Sequence, residues 1–237
     1  MKLVGEINEI YRYPIKSFAG ESLETCEIDT YGLYGDRYCA FYDETKEGWE
    51  SFFTARDIPN MLTYKTKLVD EVVSITSPDG QTFSWNEDLL DEIQRYSKRK
   101  MSMMSYKAPN PENPELMSVD MASVLIITDA TLRKLEAIWG KRLDKRRLRA
   151  NLIVSLDENA FNESDWIGRR LSVGSAELQI DIYCERCSMI TIDPDTLERD
   201  TSLLMKVNEE MNLNAGVYAS VKRTGQIQVG DKVYLVD

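Results

Sequence analysis

The chain has 237 residues, and a hydrophobic content of 43% is enough for one large domain or two small ones with real cores. With 40 acidic against 29 basic residues the formal net charge is −11, which argues against sequence-independent nucleic-acid binding, because phosphate neutralisation needs a basic surface. The N-terminus reaches Glu6 too early for a signal peptide and no apolar run approaches membrane-spanning length; four cysteines then fit reduced thiols of a cytoplasmic protein better than a disulfide scaffold.

Taken in order, alternation over residues 4–10 predicts an opening strand, followed by Pro14 and the pair Lys16 and Ser17. A polar turn and an anion contact from Lys16 and the Ser17 hydroxyl would look alike here. Strands are expected over 25–28 and 38–42, joined by a loop that Gly32 and Gly35 turn sharply so that it presents Asp36 and Arg37. An acidic loop precedes Phe53-Thr54-Ala55-Arg56. Residues 62–68 and 72–76 alternate, and Pro78-Asp79-Gly80 leads into 82–85, which predicts a hairpin. Residues 87–97 place Leu89, Leu90, Ile93 and Tyr96 at helical spacing, with acids at the start and Lys98-Arg99-Lys100 after the end. Residues 108–114, with three prolines and two asparagines, can be neither strand nor helix, and a domain boundary just beyond divides the chain into 1–117 and 118–237.

In the second half, 124–127 predicts a short apolar strand, and Thr128-Asp129 caps a helix that carries Leu132, Leu135, Ile138 and Trp139 on one face and closes at Gly140. Residues 141–149 are the most basic stretch of this acidic chain, with Lys141, Arg142, Lys145, Arg146, Arg147 and Arg149 running into a strand at Asn151. Such a run serves either as a solvated face or as a dedicated site for phosphate or diphosphate, whose oxygens the arginine fork binds two at a time. Strands follow over 170–173 and over 176–182, where Leu178, Ile180 and Ile182 alternate with polar residues, and 189–192 is again strand-like. A helix from Thr201 should bury Leu203, Leu204, Val207 and Met211; strands over 217–221 and 232–236, separated by turns within 225–231, finish the chain. The fold class is mostly β with a few helices (α+β), built as a barrel-like body decorated by helices.

The residues with most chemistry are Cys184 and Cys187, expected at a strand-to-strand connection. A thioredoxin-type pair needs a helix start after it, and none is visible in the sequence. A zinc site needs two more ligands from a chain without histidine, whose remaining cysteines, Cys26 and Cys39, read as small buried apolar residues in separate strands. The third reading is a single thiolate ligand for a soft or high-valent metal, with Arg186 beside Cys187 favouring the ionised sulfur.

One ordered series goes further: Tyr13-Pro14-Ile15-Lys16-Ser17, Gly35-Asp36-Arg37, Thr54-Ala55-Arg56, Arg147-Leu148-Arg149-Ala150-Asn151-Leu152, Ser164-Asp165-Trp166, Cys184-Glu185-Arg186-Cys187, Thr191-Ile192-Asp193-Pro194-Asp195-Thr196 and Val229-Gly230-Asp231-Lys232-Val233-Tyr234-Leu235. It resembles the MOSC family, a β-barrel-like MOSC domain preceded by an N-terminal β-barrel module, in the branch of the mitochondrial amidoxime-reducing component and its bacterial relatives. The resemblance implies a molybdenum cofactor (molybdopterin) in the cleft between the two modules, with Cys187 as the protein's metal ligand and catalytic residue. It also implies cofactor contacts from Lys16, Ser17, Arg56, Arg147, Arg149 and Asn151, with Arg186 beside the metal ligand. The chain departs from the family at Ser123 and Ala150, where proline is usual, and at Leu197, where glycine is usual. These positions shape backbone rather than chemistry.

The implied activity is reduction of small N-hydroxylated or N-oxide compounds. Without histidine for haem, or a four-cysteine iron–sulfur motif, electrons must come from an external electron-transfer protein or reductase. The alternative is a non-enzymatic sulfur or molybdenum-cofactor carrier using Cys187, and a third is a binding module whose cysteines are structural.

Overall fold

The computed structural model describes residues 1–105, 122–157, 160 and 162–236. The chain opens with β1 (Lys2–Arg12), β2 (Glu21–Leu23), β3 (Thr25–Asp29), β4 (Gly32–Leu33) and β5 (Cys39–Tyr42). A meander of β6 (Lys65–Val69), β7 (Val72–Thr76) and β8 (Thr82–Ser84) leads to α1 (Glu87–Gln94) and β9 (Ser102–Ser105). The second half runs β10 (Val124–Thr128), α2 (Asp129–Trp139), β11 (Leu152–Leu156), β12 (Arg170–Val173), β13 (Ala176–Glu185), α3 (Ser202–Met211), β14 (Asn214–Arg223), β15 (Gly225–Gln228) and β16 (Lys232–Val236).

Seven strands close a barrel in the order β11-β10-β14-β13-β12-β16-β1, sealed where β1 pairs with β11. β10 and β11 are parallel and α2 makes the crossover between them, as a parallel pair requires. In β1 the buried residues Val4, Ile7 and Ile10 are three apart rather than two, because the register shifts once against β16 and once against β11. Gly5 sits at one of these irregularities, where a Cβ would stand 2.2 Å from the Ser155 carbonyl oxygen.

Three apolar clusters follow. The barrel interior holds Ile7, Ile126, Val154, Trp166, Leu178 and Val217. Phe18, Phe41, Phe53, Met61, Tyr64 and Ile75 make the core of the N-terminal half. Leu135, Leu148, Cys184, Ile190, Leu203 and Val207 pack under α2 and α3 on the outside of the barrel. The halves also exchange strands: β1 belongs to the barrel, and β15 pairs with β3. The expected linker and the boundary at 117/118 lie outside the described residues.

Helix ends obey local chemistry. Asn86 caps α1 by accepting from Leu89 N at 3.4 Å, and Thr128 caps α2 by accepting from Thr131 N at 3.2 Å, while Gly140 closes α2 at φ +70°.

Several expectations need correction. Residues 62–68 are not one strand: Pro59–Thr63 is a 3-10 turn, started by a proline whose fixed φ suits a first helical position, and only then does β6 begin. The stretch around Gly225 is a strand, β15, rather than a turn, because it finds a partner edge in β3. α1 stops at Gln94, and in α3 Leu203 and Val207 are buried while Leu204 and Met211 are only partly so. Residues 189–192 are not a strand either; Ser188–Thr191 is a 3-10 turn in which the Thr191 hydroxyl donates to the Ser188 carbonyl at 2.7 Å. A short helical turn does therefore start directly after Cys187, which the sequence had not disclosed.

Candidate functional site

A cleft of about 340 Å³ lies where the barrel, the helix layer and the N-terminal half meet. Its walls include Lys16, Ser17, Arg56, Arg147, Arg149, Arg186 and Cys187, all expected from the sequence, together with Cys184. Asn151 does not line it. That residue is 1% exposed and braces the wall from behind, accepting from Leu125 N at 3.0 Å through Oδ1 and donating to the Tyr11 carbonyl at 3.2 Å through Nδ2.

Two register shifts near the end of β13 put the thiols where they are. Ile180 faces the barrel interior, but shifts between Ile180 and Ile182 and between Tyr183 and Glu185 break the alternation, leaving Ile182 46% exposed and turning Cys184 to the helix-covered side. Cys187, three residues on, begins the 3-10 turn and is exposed, whereas Cys26, Cys39 and Cys184 are buried. Cys26 and Cys39 lie in β3 and β5 as small apolar residues; burial pushes the Cys26 thiol up to about 11 and the Cys39 thiol up to about 12.

Six lining side chains are cationic, namely Lys16, Arg37, Arg56, Arg147, Arg149 and Arg186. Arg147 is held by Asp193 at 2.8 Å and by the Ile190 carbonyl at 3.3 Å. Burial opposes ionisation of Asp193, but the N–H groups of Thr196 and Asp195 and the Arg147 guanidinium outweigh it and hold the carboxyl below the usual carboxylate range. Arg186 is 6% exposed and, among the described residues, donates to two carbonyls, Ala215 at 2.7 Å and Leu148 at 2.9 Å. Arg149 donates to the Phe18 carbonyl at 2.8 Å and stacks on Tyr13 at 4.3 Å, with Arg37 5.0 Å from the same ring. Burial pushes the Tyr13 phenol up against the pull of both arginines, so this ring is a neutral pillar for two cations.

The backbone here is strained in a consistent way. Ser17, Arg37 and Arg149 line the cleft with φ of 70°, 54° and 53°, in the left-handed region that costs a residue with a Cβ about 1 kcal/mol or more. Leu197 adopts φ 62° in the turn after Asp193, so the chain keeps a glycine-like geometry without the glycine.

The residues present suit an anionic, metal-bearing cofactor. Among the described residues two buried donors in the wall, Arg147 Nε and Arg186 Nη2, have no hydrogen-bond partner, a cost of about 1–3 kcal/mol each that an acceptor entering the cleft would relieve. A single exposed thiol among these cations offers one soft ligand, and no group of three or more His, Cys, Asp or Glu side chains converges among the described residues as an all-protein metal site would require.

Sequence reasoning missed part of the lining. Arg37 was readable as a displayed loop residue in Gly35-Asp36-Arg37, although its neighbour Asp36 is buried and accepts from Tyr13 N at 2.7 Å. Trp49, Met189 and Tyr218 also line the cleft, and nothing local distinguishes them.

Comparison with known proteins places the chain in a family. Residues 113–234 match the MOSC domain, and residues 4–125 match the MOSC N-terminal beta barrel domain. The chain is 30% identical to mitochondrial amidoxime-reducing component 1 of Danio rerio, covering 98% of this chain and 85% of that protein. It is 24% identical to mitochondrial amidoxime reducing component 2 of Bos taurus, over 99% and 84% respectively. The fold is similar to the crystal structure of YuaD from Bacillus subtilis, with a TM-score of 0.53 and 14% identity over 99% of this chain and 97% of that one. With both family regions matched across nearly its whole length, the chain belongs to the MOSC domain family and carries that family's N-terminal beta barrel domain.

Proposed function

We propose that this chain is a molybdenum-cofactor-dependent oxidoreductase that reduces N-hydroxylated or N-oxide compounds with electrons from a separate redox partner. The observation that carries the reading is the exposed Cys187 thiol at a cleft with six cationic lining side chains, in a protein of net charge −11. Relatives named amidoxime-reducing components, aligned over nearly the full chain, support the same reaction class.

Cys187 would be the protein's ligand to the metal. Arg147, Arg149, Arg186, Arg56, Lys16 and Ser17 would hold the cofactor's phosphate and polar ring atoms through charge-assisted hydrogen bonds, which are about twice as strong as neutral ones. When bound, the cofactor supplies two-electron redox chemistry and accepts oxygen. The overall reaction is R–NH–OH + 2 e⁻ + 2 H⁺ → R–NH₂ + H₂O, and both electrons enter from the partner. The chain's own task is to present the ligand and to keep an anion seated in a protein whose overall charge would repel it.

The test is molybdenum and pterin content of protein made in a host that synthesises the cofactor, followed by turnover of an amidoxime with an artificial electron donor. About one molybdenum per chain and substrate-dependent oxidation of the donor are expected. Bound molybdenum or labile sulfur without turnover would instead favour the carrier role, and a folded protein that takes up no molybdenum would overturn the reading.

A further inference from the structure

Among the described residues, four of the six cationic side chains that line the cleft lie against aromatic rings. Arg37 and Arg149 share Tyr13, and Arg147 lies 5.6 Å from the Trp139 ring. Lys16 faces two rings. Its Nζ is 5.0 Å from the Trp49 centroid and 5.4 Å from that of Phe52, and the two rings meet edge-on at 6.1 Å. Lys16 is 5% exposed and Phe52 is buried, whereas Trp49 is 47% exposed.

Neither Trp49 nor Phe52 belongs to any of the three apolar clusters, so packing of a core does not account for two large rings at this corner. What they have in common is the Lys16 ammonium. One strand frames all three residues: Lys16 N donates to the Cys39 carbonyl of β5 at 2.8 Å, and Phe52 bridges to Tyr42 at the strand's end. Just beyond, Asp43 N donates to the Ser51 carbonyl at 2.8 Å, and the Ser51 hydroxyl donates to the Gly48 carbonyl at 2.6 Å across the turn that carries Trp49. The cation and its rings are therefore placed before any ligand arrives. A ring attracts an ammonium through its negative face and adds no charge of its own, so it fixes the cation without cancelling the field that an anion in the cleft would feel.

We propose that Trp49 is a positioning residue for anion binding: with Phe52 it fixes the Lys16 ammonium in the cleft wall and thereby raises the cleft's affinity for a phosphate-bearing ligand. The inference rests on the oxidoreductase reading, in which the cleft seats an anionic cofactor, and adds an uncharged residue to what holds it. Pre-organising the long lysine side chain removes an ordering cost that binding would otherwise carry.

The experiment titrates cofactor-free protein with inorganic pyrophosphate by calorimetry. Wild type is compared with Trp49→Phe, Trp49→Leu, Lys16→Met, the double variant Lys16→Met/Trp49→Leu, and protein carrying tryptophan with one, two or three ring fluorines at position 49. Fluorine weakens the negative face of the ring and hardly alters its shape, so an indole with a merely structural role would not respond. The dissociation constant is expected to rise stepwise along the fluorinated series and by about two- to fivefold in Trp49→Leu, with Trp49→Phe between that variant and wild type. In the Lys16→Met background Trp49→Leu should change nothing. Equal affinity across the fluorinated series, or the same loss from Trp49→Leu with and without Lys16, would overturn the proposal, and so would a wild type that binds no pyrophosphate. The oxidoreductase reading fails separately: a chain that takes up no molybdenum yet binds pyrophosphate through Lys16 and Trp49 would sustain this inference and remove that one.

Discussion

Arg147 donates to Asp193 at 2.8 Å, and this pair joins the most basic segment of the chain to the turn that follows the candidate metal ligand. Arg147 is 9% exposed, so the carboxylate decides whether a buried guanidinium is tolerated beside the cleft.

Asp193→Asn removes that charge and should destabilise the protein by about 1–3 kcal/mol, since it leaves a buried cation without its partner. The folded-state pKa of Asp193 lies below its unfolded value, so its contribution is complete above about pH 4 and is lost as the pH falls through the folded value. Urea midpoints measured from pH 7 down to pH 3 should fall in wild type and fall less in the variant. Parallel curves would show that Asp193 is not stabilised by folding.

Cys187→Ser should keep the fold and lose the metal. The side chain is exposed and belongs to none of the three apolar clusters, so the thermal midpoint should stay within about 2 °C while molybdenum content falls at least tenfold. Elemental analysis beside a melting curve separates this outcome from simple unfolding, and retained molybdenum would remove Cys187 as the ligand.

The four thiols should react very unequally. Cys187 is open to solvent, while Cys26, Cys39 and Cys184 are buried, the first two with thiols that stay protonated at neutral pH. Iodoacetamide applied to native, cofactor-free protein at pH 8 should label Cys187 alone, and mass spectrometry of the peptides reads this directly. Rapid labelling of Cys39 would contradict its place in β5.

Leu197 should invert the usual order of small substitutions. At φ 62° it is strained, yet its half-buried side chain packs against the N-terminal core. Leu197→Gly loses the packing but relieves the strain, so its net change should be within about 0.5 kcal/mol, whereas Leu197→Ala loses the packing and keeps the strain, at about 1–2 kcal/mol. Chemical denaturation of the two variants side by side settles the order.

Much of this protein is legible locally. The strand at 124–127, the Thr128 cap and the closing Gly140 are set by neighbouring residues, and they appear where periodicity and capping chemistry put them. Arg147, Arg149, Arg186 and Cys187 could be singled out because a basic run in an acidic chain, and cysteines three apart, are visible without a fold, whereas Lys16 and Ser17 read equally as a polar turn and Arg56 drew notice only through the family resemblance. The ordered motifs named the family.

Tertiary structure decided the rest, because the deciding contacts are remote in sequence. Gly225–Gln228 becomes a strand only because the edge of β3, almost two hundred residues earlier, accepts it. The face that Cys184 shows depends on shifts in pairing with β14, and a slip in register reverses sides without leaving a mark in the pattern of β13 itself. Asn151 adjoins the arginine cluster in sequence, yet its amide is spent between Leu125 and Tyr11, whereas Trp49, from an unremarkable acidic loop, reaches the cleft. Residue type and short-range spacing determine which groups can do chemistry; which of them share a cavity is set by strand pairing and core packing over the whole chain.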